Sequence, residues 1–222
     1  LPEFFTSTHG KAPTMSVSQQ EELDFSMMYA THDAFRRDLK RFEAAAAAGK
    51  GGNPKILAGW ENFKTQLLIH HGVEDSYLWP RVENAVAGRA HDLALLKDMK
   101  DEHAQLDPLL ARVDEALAGR AADLADRIRD VAAVLGDHLT HEEDSALPLI
   151  QAVLPRAEWD GMSGAMARRE GVKGAAYFVP WVLEEKSPAE RQRILARLPA
   201  PARLLNRLLW QPRYLRRNLW NG

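Results

Sequence analysis

Apolar residues recur at the helical period along most of the chain, and four long segments each gather them on one stripe. Met28, Phe35 and Leu39 mark the first stripe, Trp60, Phe63 and Leu67 the second, Met99, Leu106 and Leu110 the third, and Ile128, Val131 and Leu135 the fourth. Polar residues interrupt each of them: His32, then His70 and Glu74, then His103, then His138 and Glu142. The interruptions repeat. Met28-His32-Phe35-Leu39 and Met99-His103-Leu106-Leu110 are offset by 71 at every position, while Trp60-Phe63-Leu67-His70-Glu74-Pro80 and Ile128-Val131-Leu135-His138-Glu142-Pro148 are offset by 68. Four consecutive segments therefore form two copies of one helix pair.

Turn chemistry places the boundaries. The first helix is expected from about Ser18 to Ala48, ending at the Gly49-Lys50-Gly51-Gly52 turn. Asn53-Pro54 is a cap and first-turn pair that opens the second, which ends near Gly88 with Pro80 kinking its final turns. The third is expected from Arg89 to Leu117, stopping before Gly119 and bent at Asp107-Pro108, and the fourth from Ala121 to Val153, closed by Pro155. Short connections favour antiparallel neighbours, so the pattern predicts an all-α protein: an antiparallel up-down-up-down four-helix bundle over residues 18–154.

After Pro155 the register of the repeat is lost, and residues 155–222 read as a helical C-terminal extension of shorter pieces. One piece opens with Ser187-Pro188-Ala189-Glu190, a capping box with proline at the first helical position. The last, PARLLNRLLWQPRYLRRNLWNG, holds Arg203, Arg207, Arg213, Arg216 and Arg217 and no acidic residue. Such a helix can lie on an anionic membrane or dock a partner. The favoured reading is that it covers the chain's own bundle with its arginines outward.

Composition narrows the function. A net charge of −2 with 27% charged residues fits an ordinary soluble protein rather than a nucleic-acid binder. No apolar run approaches the roughly 20 residues of a membrane span. The absence of cysteine removes disulfides, thiolate metal sites and thiol catalysis, so any metal must be held by imidazole and carboxylate. Residues 1–17 lack the basic start and apolar core of a signal peptide, and the expected location is cytoplasmic. That segment reads as a flexible N-terminal stretch outside the fold, with Met15 a candidate start within it.

The interrupting residues carry the chemistry. His70–Glu74 and His138–Glu142 are i, i+4 pairs on one helix face, able to approach a common centre. A lone histidine on an apolar stripe is more often a hydrogen-bonded core residue, and a lone His–Glu pair a surface contact. The combination differs, because an unpaired buried carboxylate costs several kcal/mol and six such groups on four buried stripes need a shared partner. Cations between the helices supply one. Four imidazoles and two bridging carboxylates would give each of two ions about four protein ligands, leaving places for solvent, oxide or dioxygen. These donors suit iron and manganese and accept zinc.

At these residues the chain resembles the hemerythrin-like, or HHE cation-binding, family. The resemblance covers roughly residues 20–153 and rests on His32, His103 and the two H-x-x-x-E units, each followed by proline six residues later. Ferritin-like di-iron bundles use E-x-x-H instead. The resemblance implies a non-haem site of two iron ions with carboxylate bridges and an oxo or hydroxo bridge. The function it implies is binding or reduction of dioxygen, peroxide or nitric oxide in sensing, storage or detoxification, with peroxidase-like, catalase-like or oxidase activity open. Two alternatives stand beside it: a di-iron oxidase or oxygenase whose extension forms a pocket or lid over an organic substrate, and a metal-bound structural module attached to a membrane or protein through its basic tail.

The chain departs from the oxygen-carrying members of that family, which place a fifth histidine as H-x-x-x-H on the third helix. Here Met99 stands four residues before His103 and Asp107 four after it. His141, three residues past His138, and Tyr77, three past Glu74, are candidates for an extra ligand or an outer hydrogen-bond donor. His71, about 100° round the helix from His70, is expected outside the site.

Overall fold

The computed structural model describes residues 21–221, which form seven helices and no strand. Helix α1 spans Ser26–Ala47. Helix α2 runs from Pro54–Val73 through a widened turn, Glu74–Leu78, into Trp79–Ala85. Helix α3 is Ala90–Gly119, and α4 runs from Leu124–His141 through a second widened turn, Glu142–Ala146, into Leu147–Val153. These four are the expected all-α bundle. The expected segment 1–17 lies outside the described residues, and the helix expected from Ser18 is not formed over 21–25: it begins at Ser26, whose amide donates to the Asp24 carboxylate at 2.9 Å.

Local chemistry explains the ends. The Asn53 side chain accepts a 2.9 Å hydrogen bond from the Lys55 amide, with Pro54 at the first helical position. Helix α3 runs two residues past its expected end because Arg120, rather than a glycine, takes the left-handed conformation that stops it.

The expected kink at Pro80 takes a particular form. Proline has no amide hydrogen and its ring crowds the carbonyl four residues back, so the preceding turn must open. In α2 the Trp79 amide reaches five residues back to the Glu74 carbonyl, and in α4 the Leu147 amide does the same to Glu142. Each is a single π turn, a feature found often at functional sites. Each begins at the carboxylate of an H-x-x-x-E unit.

Packing divides the bundle into two apolar clusters. One gathers Phe35, Phe63, Leu67, Leu106, Val131 and Leu135. The other holds Met28, Leu78, Trp79, Met99, Ala146 and Leu147. His32, His70, Glu74, His103, His138 and Glu142 fall between these groups along every helix, and all six are buried. A polar layer crosses the middle of an otherwise apolar core.

Beyond the bundle, the extension is less fragmented than expected. Helix α5 spans Arg156–Val182 and is broken only at Gly171, followed by α6 at Pro188–Ala196. The capping box is formed, with Ser187 accepting from the Glu190 amide and Glu190 accepting from the Ser187 amide. Helix α7 runs Ala200–Leu205, Asn206–Trp210 and Gln211–Arg217, with a third π turn ahead of Pro212. Val179, Trp181, Trp210, Tyr214 and Trp220 are buried in the same cluster as Phe35, Phe42 and Trp60 of the bundle. The five arginines of the last piece face outward, but so do Leu204, Leu208 and Leu215, so the cap is made by its aromatic residues and not by an entire apolar stripe. No helix among the described residues is long and apolar enough to cross a membrane.

A buried polar staple fixes the extension to α1. Asp38 is fully buried and accepts a 2.8 Å hydrogen bond from Trp181 Nε1. The Arg37 guanidinium lies 2.8 Å from the same carboxylate and donates to the Trp181 and Glu184 carbonyls at 3.1 Å. Truncating Trp181 would empty a large buried volume and take from Asp38 Oδ2 its indole donor, leaving Arg37 on Oδ1. Trp181→Ala should lower the unfolding free energy by about 3–5 kcal/mol, read as a fall in urea midpoint; an unchanged midpoint would mean that the extension does not stabilise the bundle.

Candidate metal centre

Three imidazoles of the polar layer are held from outside. His32 Nδ1 lies 2.8 Å from Glu143, His103 Nδ1 2.9 Å from Asp75, and His138 Nδ1 2.8 Å from Glu102. Carboxylates only accept, so these Nδ1 atoms carry the protons and the Nε2 lone pairs face the interior. All three outer carboxylates are sequence neighbours of the donors, because Asp75 follows Glu74, Glu143 follows Glu142 and Glu102 precedes His103. Arg36 in turn donates to both oxygens of Glu143, at 2.8 and 3.1 Å.

Inside the layer the donor atoms converge. His32 Nε2 is 3.2 Å from His70 Nε2, and His103 Nε2 is 3.2 Å from His138 Nε2. With His103 and His138 both protonated at Nδ1, two lone pairs point at one another across that gap. A hydrogen bond cannot relieve this; a cation can. Glu142 Oε2 is 3.2 Å from His32 Nε2, while Glu74 Oε1 is 3.1 Å from His70 Nε2 and its Oε2 3.5 Å from His103 Nε2. Neither oxygen of either carboxylate receives a hydrogen bond of acceptable geometry. Glu74 thus reaches from the His32–His70 side to the His103 side.

Electrostatics sharpen the point. Burial, with the charges of Glu142 and Asp75, pushes Glu74 well above the usual carboxylate range. Burial acts on Glu142 in the same sense, but His32, His70 and His138 more than offset it and hold it down at about 2. His70 and His71 are pushed well down by burial and by neighbouring imidazoles, and burial also lowers His138. For His32, burial is outweighed by Glu142 and Glu143, and its affinity for a proton rises. Imidazoles with inward Nε2 atoms beside buried carboxylates form a donor set suited to divalent or trivalent first-row ions. The residues present fit a metal.

The profile of the hemerythrin HHE cation-binding domain matches residues 23–150, more than half of the chain. The chain belongs to this family. No curated protein and no solved structure matches it. As a member of the HHE family it is a metal-binding protein, and among the described residues its donors form three groups able to hold an ion: His32, His70 and Glu142; His71, His103 and His138; and His70, His71 and Glu74.

His71 is the correction these groups carry. Expected outside, it is 8% exposed, its ring stacks on His103 at 3.8 Å between centroids, and its Nε2 has no hydrogen-bond partner. The helical period was right and the inference from it wrong. Helix α2 faces α1 on one side and α3 on the other, so positions 100° apart both point inward: His70 to His32, His71 to His103. The adjacent His-His pair was the signal in the sequence. It supplies a fifth imidazole from α2, where oxygen-carrying hemerythrins take theirs from the third helix; Met99 is buried core and Asp107 is exposed.

The two remaining candidates lie further out. His141 Nδ1 is 2.8 Å from Glu102, the carboxylate that also holds His138, and His141 belongs to none of the three donor groups. The Tyr77 hydroxyl donates to the Glu158 carbonyl of α5 at 3.4 Å, and the Arg81 guanidinium covers its ring. Tyr77 joins the bundle to the extension instead of facing the donors.

Two substitutions test this arrangement. His71→Leu should lower the metal bound per chain, seen by metal analysis, whereas unchanged metal content would remove His71 from the ligands. Glu143→Gln should weaken metal retention against a chelator about 10–100-fold at unchanged helix content, as loss of an outer carboxylate does elsewhere.

Proposed function

We propose that the protein is a non-haem di-iron protein that binds or reduces a small oxidant: dioxygen, peroxide or nitric oxide. The observation that carries this reading is the uneven division of the imidazoles, two on the side of His32 and His70 and three on the side of His71, His103 and His138. With Glu74 and Glu142 shared between the ions, the second would be nearly filled by protein donors and the first would keep open positions. A pair of irons held in this way would supply two reducing equivalents at those positions. Manganese or zinc would satisfy the same donors, but zinc, which has no redox chemistry, would bring no electrons.

The protein's own part is orientation and exclusion. Glu143, Asp75 and Glu102 fix three imidazoles in the tautomer that presents Nε2 inward. The two apolar clusters on either side keep bulk water from the carboxylates. In that dry environment electrostatic interactions are stronger than in water.

A second reading, an oxidase or oxygenase acting on an organic substrate, draws support from one observation. An apolar cavity of about 370 Å³, between α1 and the extension, is lined in part by His70, on the side with fewer imidazoles. A purely diatomic ligand does not need that volume.

Iron-loaded protein should show near-ultraviolet oxo-to-iron absorption. Glu74→Ala or His138→Ala should abolish it while far-ultraviolet circular dichroism retains most of the helix, and bands that persist would remove the residue from the ligands.

A further inference from the structure

The cavity beside His70 contains a polar group that the metal centre does not use. Its walls are the methionines Met27 and Met28 of α1, with Trp159, Met162, Met166 and Phe178 of α5. Its volume of about 370 Å³ lies within the range of small-molecule sites, which are mostly apolar with a few placed polar groups.

Gly171 breaks α5 at φ 62° and ψ −179°, a conformation almost confined to glycine, so that the turns before and after it line one cavity. Glu170 stands immediately before the break. Its carboxylate folds over Gly174, where a Cβ would come within 2.1 Å of Oε2, so the missing side chain makes its room.

Three charged residues line the cavity: Asp160, Glu170 and Arg197. Arg197 pairs with Asp24 and lies 3.8 Å from Asp160, and Asp160 also meets Arg156 at 3.1 Å. Glu170 is different. Both its oxygens are shielded from solvent and neither has a hydrogen-bond partner. Burial alone pushes it up to about 7, the mark of a carboxylate lacking a counter-charge. Among the described residues that line this apolar chamber, Glu170 is the carboxylate without a partner, and an organic cation is the ligand that would hold it ionised.

We infer that this cavity binds a small apolar amine, with its ammonium group on Glu170 and its carbon body among the methionines towards His70. The ammonium donates to the Glu170 oxygens and supplies the missing charge, while the thioethers adapt to the shape of the chain. A carboxylate ligand would face Glu170 as a like charge, and an alcohol would leave its charge uncompensated. The ligand class deepens the second reading above and rests on it only for the claim that the bound amine is also a substrate.

Calorimetric titration of the zinc-loaded protein with hexylamine, 1-hexanol and hexanoate tests the inference, zinc removing any redox chemistry. Hexylamine should bind about ten- to a hundredfold more tightly than the other two, the range expected for a hydrogen bond to a charged group. Glu170→Gln, nearly identical in shape, should bring hexylamine to the affinity of hexanol and leave hexanol unchanged. Equal affinities, or hexylamine binding that Glu170→Gln does not weaken, overturn the inference; the latter would place the amine on the metal instead. Oxygen uptake by the iron-loaded protein separates the two claims. Amine that binds through Glu170 without stimulating uptake leaves the site standing and removes the substrate reading, whereas uptake stimulated by hexanol and not by hexylamine supports an organic-substrate oxidase and removes the amine as its substrate.

Discussion

Two carboxylates with no exposed surface, Glu74 and Glu142, sit among imidazoles at the centre of a helical bundle, and none of their four oxygens has a hydrogen-bond donor. An unpaired buried charge costs several kcal/mol, against a total stability of roughly 5–15 kcal/mol for a typical domain. The fold tolerates the layer because its donors converge where cations can sit. A cation bound in this layer would therefore stabilise the fold as well as fill the site.

The backbone is adapted to that requirement. Each carboxylate begins a π turn, and each turn is forced open by a proline six residues later. The extra residue is absorbed directly beyond the donor, so the helix resumes its packing against the second cluster without displacing the His–Glu pair. The extension adds a further layer. Through Asp38, Arg37 and Trp181 it is fastened to α1, and through α5 it walls a chamber that reaches His70. The bundle supplies the metal donors, and the extension shapes what can approach them.

Much of this was legible in the sequence because burial and period are local signals. Repeated stripes interrupted at matching positions gave the four helices and the six donors that the structure brings together. His71 escaped because a helix wheel describes one helix, whereas inward is defined by two neighbours on different sides. Tyr77 and His141 shared a face with the donors, but their ends are set by Glu158 and Glu102, partners distant in sequence. The cavity was illegible for a related reason: it exists only where the Gly171 break sets two parts of α5 against α1, and nothing in a pattern of periods encodes that contact. The chain end was read in part, since its aromatics do cap the bundle while several leucines remain outside.

The central claim is that two ions share Glu74 and Glu142 between unequal sets of imidazoles. A crystal structure of iron-loaded protein, with anomalous scattering collected at the iron edge, tests it most directly. The account predicts two peaks about 3.5–4 Å apart, the spacing of two-metal sites, one beside His32 and His70 and the other beside His71, His103 and His138. A single peak, or ions outside the layer between the two apolar clusters, would contradict it.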